Sequence, residues 1–160
     1  MNKKLHKGKK LATSKSKKWM EPKKYFSTLR KIQFNEIYLD SCSSEIKREN
    51  FEFKKHLDVK ISDRASYVYS ENVLKVMHKY FLTAKKPDMK DDFAIKVTAR
   101  FSLRFTTKAQ VNDDFFNTFR ELNLYLNSWP YFREFVQSMT QRMNIPPLTL
   151  PFHKRGGHRV

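Results

Sequence analysis

Acid–base and nucleophilic chemistry need side chains that can hold or pass a proton, brought to one place, and this sequence offers few candidates. Its five histidines, His6, His56, His78, His153 and His158, are scattered, and none lies three or four residues from another within a predicted helix. They read as surface or half-buried histidines; His153 and His158 share a short tail, but two ligands on such a segment do not fix a coordination geometry. Asp91 with Asp92 and Asp113 with Asp114 are the paired carboxylates. The first pair falls in a turn built on Pro87 and Asp88, and the second at a helix start, where negative charge suits the free N–H groups. Cys42 is the single cysteine, so no internal disulfide or cysteine-based zinc site can form and a reducing compartment fits best. No local motif makes it a nucleophile, and a strand-end cysteine serves as a small apolar filler.

Glycine narrows the choice further. The three glycines are Gly8, Gly156 and Gly157, so the long span between them lacks the residue that P-loops and dinucleotide fingerprints need where backbone approaches phosphate. No catalytic, cofactor or metal site is predicted, and the chain is expected not to be an enzyme.

The formal charge of +17 points to a polyanion partner until its placement is considered. Residues 1–24 hold ten Lys and one Glu, and residues 153–160 hold one Lys and two Arg, so most of the excess lies in the tails. Three parts follow: a disordered basic arm (1–24), a domain (25–152) and a basic tail (153–160). The arm, through lysines such as Lys9, Lys10, Lys17 and Lys18, reads either as an electrostatic contact for nucleic acid or an anionic surface, or as a solubilising tail. Trp19 and Met20 are candidates for docking on the domain. The N-terminus has no apolar core of a signal peptide and no apolar run approaches a membrane span, so a cytoplasmic protein without membrane insertion is expected.

Within the domain, Ile32, Phe34, Ile37, Tyr38 and Leu39 mix alternation with a slip, as a bulged strand does. Ser41, Ser43, Ser44 and the charged run over residues 45–50 break it, giving a loop that leads to Phe51 and Phe53. Leu57, Val59 and Ile61 alternate with polar neighbours, and a third strand is predicted over residues 67–84 with a polar break at Ser70, Glu71 and Asn72. The clearest signal is Phe93, Ile95, Val97, Ala99, Phe101, Leu103 and Phe105, alternating without exception. Four strands joined by loops should form an antiparallel sheet. The period then changes to about four. Asn112 or Asp113 can cap a helix with Phe115, Phe119, Leu122 and Leu126 as its stripe, closing at Asn127 and Ser128. A second helix is predicted from Ser128 as cap and Pro130 in the first turn, with Phe132, Phe135, Val136, Met139 and Met143 as its stripe and a stop at Pro146 and Pro147. The fold class is α+β, a four-stranded antiparallel sheet followed by two helices on one face.

Aromatics mixed with basic residues on a sheet could bind single-stranded nucleic acid, but Phe93, Phe101 and Phe105 belong to the dry face. The other face shows Lys96, Arg100 and Arg104 without aromatics between them, which suits phosphate contact rather than base stacking.

The run Trp129-Pro130-Tyr131-Phe132-Arg133-Glu134 resembles the FPYxRE signature of the SecB protein-export chaperones, and residues 145–152, IPPLTLPF, resemble that family's FPPLxLxP segment. The resemblance spans residues 32–152. It implies a dimer of dimers with helices between sheets, no cofactor or ATP, and apolar grooves that hold unfolded or partly folded polypeptide, either for hand-over to a translocase motor or, in toxin–antitoxin systems, to protect an unstable antitoxin. The implied groove residues are Phe51 and Phe53 in the crossover loop, Leu122, Tyr125, Leu126 and Trp129 on the helices, and Leu148 and Leu150 in the strip after them. One departure concerns the motor, which engages an acidic surface in such proteins, whereas this chain is basic at both ends.

Overall fold

The computed structural model describes residues 18–52, 56–89 and 92–151. Four long strands, β1 (Ile32–Ile46), β2 (Asp58–Ser70), β3 (Val73–Lys85) and β4 (Ile95–Thr107), pair antiparallel in the order β1-β4-β3-β2. β4 is thus an inner strand, and its alternation buries Ile95, Val97, Ala99, Phe101, Leu103 and Phe105 on one face. β1 has register shifts between Phe34 and Glu36 and between Leu39 and Ser41, the expected bulges. Each inserts one unpaired residue, so Phe34, Ile37, Leu39 and Cys42 all stay on the face opposite Phe105, Leu103, Phe101 and Ala99.

The polar break at Ser70, Glu71 and Asn72, expected inside a single third strand, is instead the turn between β2 and β3. Glu71 and Asn72 have φ of 50° and 63°, and Ser70 pairs with Val73. Positive φ at both central residues is the geometry whose twist matches a tight hairpin. β3 hid this boundary by carrying apolar residues on both faces. Leu74, Val76, Tyr80, Leu82 and Ala84 are buried beneath the helices, while Met77 and Phe81 stand half-buried on the other side.

Helix α1 (Pro22–Leu29) begins inside the stretch read as a featureless arm. Its lysines hid it, but Pro22 opens its first turn, where a missing N–H costs nothing, and Tyr25 anchors it. The Tyr25 ring stacks on Phe115 with centroids 5.4 Å apart, and its hydroxyl donates to Asn123 Oδ1 at 2.5 Å. Just before it, Met20 is buried and its N–H donates to Thr118 Oγ1 at 2.9 Å, whereas Trp19 stays half exposed. Of the two candidate docking residues, Met20 is the one that packs.

The helical layer is α2 (Asp113–Phe119), a five-residue π turn (Arg120–Leu124) and α3 (Tyr125–Arg142), with no break between them. Asn112 is the cap of α2, its Oδ1 accepting from the Phe115 N–H at 3.0 Å. The predicted boundary at Ser128 is corrected. Ser128 is fully buried, and Pro130 sits inside α3 rather than in its first turn. Proline there removes one intrahelical hydrogen bond, which sequence rules treat as a helix start or a break. The π turn has a second consequence. It adds a residue to one turn and shifts the phase of the apolar stripe. The stripe of Phe115 and Phe119 does not continue through Leu122 and Leu126; it resumes at Leu124, Ser128, Phe132, Val136 and Thr140, all buried at intervals of four. Leu126 is turned out, 53 % exposed. α3 ends as Pro146 and Pro147 require, with Asn144 at φ 55° closing the last turn.

Candidate functional site

Past the prolines, the chain runs back along α3. The Leu148 N–H donates to Thr140 Oγ1 at 3.0 Å, Arg133 Nε donates to the Leu150 carbonyl at 2.7 Å, and Trp129 Nε1 donates to the Pro151 carbonyl at 3.0 Å. Extended backbone cannot satisfy its own polar groups, so side chains of α3 do it. A shallow cleft of about 160 Å³ lies between helix and strip, lined by Pro130, Arg133, Glu134, Gln137, Thr149 and Leu150. Tyr131 stands 46 % exposed on the neighbouring turn.

The expected groove residues divide into three groups. Trp129 and Leu150 are buried where the strip meets α3, and Leu148 is half-buried above them. Leu122 in the π turn and Tyr125 at the start of α3 are half-buried against the core, with Leu126 exposed on the same stretch. Phe51 is half-buried in the crossover between β1 and β2. That crossover is tied down at several points: Arg48 Nη2 donates to the Met143 carbonyl at 2.8 Å, Lys47 Nζ meets Asp92 Oδ1 at 2.5 Å, Asn50 Nδ2 donates to the Phe93 carbonyl at 3.0 Å, and Lys86 Nζ donates to Glu52. The tie at Met143 brings the crossover to the C-terminal end of α3, where the strip begins. Phe53, Asp91, Phe152 and the lysines Lys9, Lys10 and Lys17 lie outside the described residues; Lys18 is exposed.

Two of the carboxylates considered for acid–base work, Asp92 and Asp113, hold the fold together. Asp92 accepts from Lys47, from Asn50 Nδ2 at 2.8 Å and from the Phe93 N–H at 2.9 Å. The Lys47 hydrogen bond comes first among the causes that hold its carboxyl at about 2. Asp113 Oδ1 accepts from the Tyr67 hydroxyl at 2.7 Å, fastening the start of α2 to β2.

The polar constellation that sequence reading missed is buried under α3. His78, fully buried on β3, meets Ser128 Oγ through Nδ1 at 2.8 Å and Asp63 Oδ2 through Nε2 at 3.1 Å. Asp63 also accepts from the Tyr125 hydroxyl and from Arg120 Nη2 at 3.2 Å, and the Tyr80 hydroxyl lies 2.8 Å from Ser128 Oγ. A serine, a histidine and an aspartate within hydrogen-bonding reach resemble a hydrolase triad in composition. Ser128 has no accessible surface, however, and its hydroxyl also faces the Leu124 carbonyl at 2.9 Å. The group joins β2, β3, the π turn and α3. An inward Asp63 opposite Tyr80 on paired strands, and a histidine in an otherwise apolar row of β3, are the signals that could have revealed it.

Burial pushes the His78 imidazole below its ordinary 6.5, partly opposed by the hydrogen bond and charge of Asp63. Burial would raise the Asp63 carboxyl, but hydrogen bonds from His78 and Tyr125 and the charges around it hold it at about 2. With Asp63 ionised and His78 neutral, Nε2 carries the proton and Nδ1 accepts. As pH falls through about 6.5 the unfolded chain takes up a proton on this histidine before the folded chain does, so stability declines toward the lower folded pKa. Asp63 adds a second loss between about 4 and 2 as its folded-state advantage disappears. The thermal midpoint is expected to drop between about pH 7 and pH 5, and His78→Gln to flatten that drop while lowering the midpoint at neutral pH. Equal slopes in the two proteins would remove His78 as the titrating group.

Among the described residues, no helix is long and apolar enough to cross a membrane, and no group of three or more His, Cys, Asp or Glu could hold a metal ion. No family model matches the sequence, and no curated protein matches it significantly. The structure does match solved ones. It is similar to the SecB-like chaperone Rv1957 of Mycobacterium tuberculosis, solved in complex with a ChAD peptide from the Rv1956 HigA1 antitoxin, with a TM-score of 0.67 and 16% identity over 84% of this chain and 99% of that one. The fold is SecB-like. A weaker likeness, TM-score 0.41 and 12% identity over 76% of this chain and 97% of the other, is to a protein of unknown function from Streptococcus agalactiae. Within the SecB-like fold, four strands and the helical layer agree with what the two proline-containing motifs implied, while the exposed Leu126 and the helix-strip cleft are features of this chain's own geometry.

Proposed function

We propose that the protein is an ATP-independent holdase that binds non-native polypeptide along α3, using Leu126, Tyr131 and the cleft beside Leu148 and Leu150, and that it works without catalysis or cofactor. The observation that carries this reading is the phase slip in the helical layer. A π turn costs regular hydrogen bonding and here leaves a large apolar side chain in solvent, at the start of the helix against which the chain's own extended segment lies. Residues 148–151 already lie along α3 as an extended peptide would, held by hydrogen bonds with helix side chains and by the burial of Leu150. A client offering extended backbone and apolar side chains would meet the same chemistry beside it. The likeness to a chaperone solved with an antitoxin peptide supports a polypeptide client, and protection of an unstable partner such as an antitoxin suits this basic chain better than hand-over to a motor that needs an acidic surface. Phe34 and Leu39, exposed on the helix side of edge strand β1 where no helix of the described residues covers them, supply the apolar surface for a homo-oligomer, a dimer of dimers in the fullest form of this reading.

The full chain is expected to suppress aggregation of a chemically unfolded test protein on dilution, with no nucleotide present. Leu126→Asp is expected to raise the concentration needed by about fivefold, the effect of losing roughly 1 kcal/mol of apolar burial from one half-covered leucine. Unchanged suppression by a folded Leu126→Asp variant would take this side chain out of the site, and no suppression by the wild type would remove the holdase assignment.

A further inference from the structure

Among the described residues, nothing covers the other side of the sheet, and it differs in chemistry. Register places Lys60 and Arg64 of β2, Lys75 and Lys79 of β3, and Lys96, Arg100 and Arg104 of β4 on it. These cations fall in rows: Lys75 beside Arg104, then Arg64, Lys79 and Arg100 abreast, then Lys60 and Lys96 on either side of Thr83. Successive rows are four residues apart, about 13 Å along the strands. Between them run Ser66, Met77 and Ser102 in one row and Ser62, Phe81 and Thr98 in the next. A concavity of about 370 Å³, lined by Arg64, Ser66, Met77, Lys79 and Arg100, marks the centre.

The acids of this face gather at its edges. On β1, Glu36 pairs with Arg104 at 3.4 Å, Asp40 with Arg100 at 3.6 Å, and Glu45 stands opposite Lys96 in register beyond ion-pair distance; on β2, Asp58 begins the strand opposite Lys85. Among the described residues, Lys60, Arg64, Lys75, Lys79 and Lys96 have no carboxylate within ion-pair distance. Four of them rest on aromatic rings instead: Lys75 over Tyr38 at 5.5 Å, Arg64 and Lys79 over Phe81 at 5.7 and 5.0 Å, and Lys96 over Phe93 at 5.5 Å. Like charges set side by side repel, so the face is a standing electrostatic cost that an anionic partner would relieve.

We propose that this open face docks an acidic, extended polypeptide segment of a partner protein, on the side of the sheet away from α3. The chain's own tails are basic and a further copy carries the same excess of +17, so neither supplies the acidic segment. A single nucleic-acid strand fits less well. It binds such sheets by stacking bases on free aromatic faces, and here cations already cover Phe81 and Tyr38. Its charge also recurs on every residue, whereas the cation rows are interrupted by rows carrying Met77 or Phe81. An extended peptide presents one face every second residue, about 6.7 Å, so acidic side chains at every fourth position meet the cation rows and apolar ones midway meet Met77 and Phe81.

The test is fluorescence anisotropy of the full chain with a labelled peptide that has glutamate at every fourth position, leucine midway and serine elsewhere. Saturable binding that weakens with salt is expected, as is a loss of at least about tenfold in the double variant Arg64→Glu, Lys79→Glu, with suppression of client aggregation unchanged. Circular dichroism checks folding, and the double variant Arg64→Gln, Lys79→Gln takes its place if the reversed charges prevent folding. No binding of the peptide, equal binding by a folded variant, or tighter binding of a single-stranded oligouridylate through the same two residues would overturn the proposal.

Discussion

Phe132→Ala is expected to lower the unfolding free energy by about 4 kcal/mol, the cost of removing a fully enclosed aromatic ring and leaving a cavity. Phe132 has no exposed surface and lies parallel to Tyr80, with ring centroids 4.4 Å apart and planes 11° from parallel. Trp129 packs on the same ring at 5.8 Å. The residue sits at the middle of the row of five that joins α3 to the sheet, so the neighbours that would have to close the gap are themselves fixed by β3 and by the hydrogen bond from Trp129 to the strip. Phe132→Leu, which keeps most of the volume, is expected to cost less than half as much. Urea unfolding followed by tryptophan fluorescence measures both. A loss below about 1.5 kcal/mol for the alanine variant would mean that α3 is not seated on β3 through this ring.

Asp63→Ala is the second large effect, about 3 kcal/mol, and its origin is polar. Removing the carboxylate leaves the His78 N–H and the Tyr125 hydroxyl without their acceptor, and separates Arg120 from its ion-pair partner. His78 has no accessible surface, so water cannot replace the lost bond there, whereas Arg120, about one-third exposed, recovers part of its solvation. Asp63→Asn retains an acceptor and is expected to cost about half as much. The alanine variant should also lose the steep decline in stability below about pH 4 that the depressed carboxyl produces. Equal stability of Asp63→Ala and wild type at neutral pH would show that the buried network contributes nothing net to joining the helices and the sheet.

Periodicity made some elements plain and hid others for definite reasons. β4 buries one face and, apart from the buried Ser102, leaves the other open to solvent, so its alternation was legible from Ile95 onward. Phe93, expected to begin the dry face, precedes the strand, and its ring centre lies 5.5 Å from Lys96 Nζ. β3 could not be separated from the end of β2, because Met77 and Phe81 place apolar groups on its outer face and the turn residues Glu71 and Asn72 lack the glycine that announces a tight hairpin. α1 went unseen because its first turn, Pro22, Lys23 and Lys24, continues the lysine-rich run before it, and what holds the helix is tertiary: Tyr25 against Phe115. The helical boundary was misplaced for a physical reason as well. Ser128 and Pro130 are a start signal to local rules, and only the π turn upstream, which shifts the stripe from Leu122 and Leu126 to Leu124 and Ser128, lets a serine occupy the core and a proline sit inside a helix.

The candidate site was legible in part. The double proline after α3 predicted an extended strip, and the strip lies on the helix with Leu150 and Trp129 buried at its end. Its close attachment was not foreseeable, since the side chains that hold it, Thr140, Arg133 and Trp129, look like ordinary members of a helix. The Asp63–His78–Ser128 network was invisible for a different reason: its members come from three elements, and no local spacing links them. The basic open face could be sensed from Lys96, Arg100 and Arg104 on β4, but the aromatics beneath its lysines come from β1, β3 and the turn before β4, so only register brings them together.

Binding of a permanently unfolded polypeptide tests peptide holding most directly. A reduced, carboxymethylated protein carrying a fluorescent label is titrated with the full chain, with and without ATP. Saturable binding unaffected by nucleotide, absent for the same protein in its native form and weakened by Leu126→Asp, is the expected result. No difference between the native and the unfolded forms, or binding only when ATP is present, would contradict it.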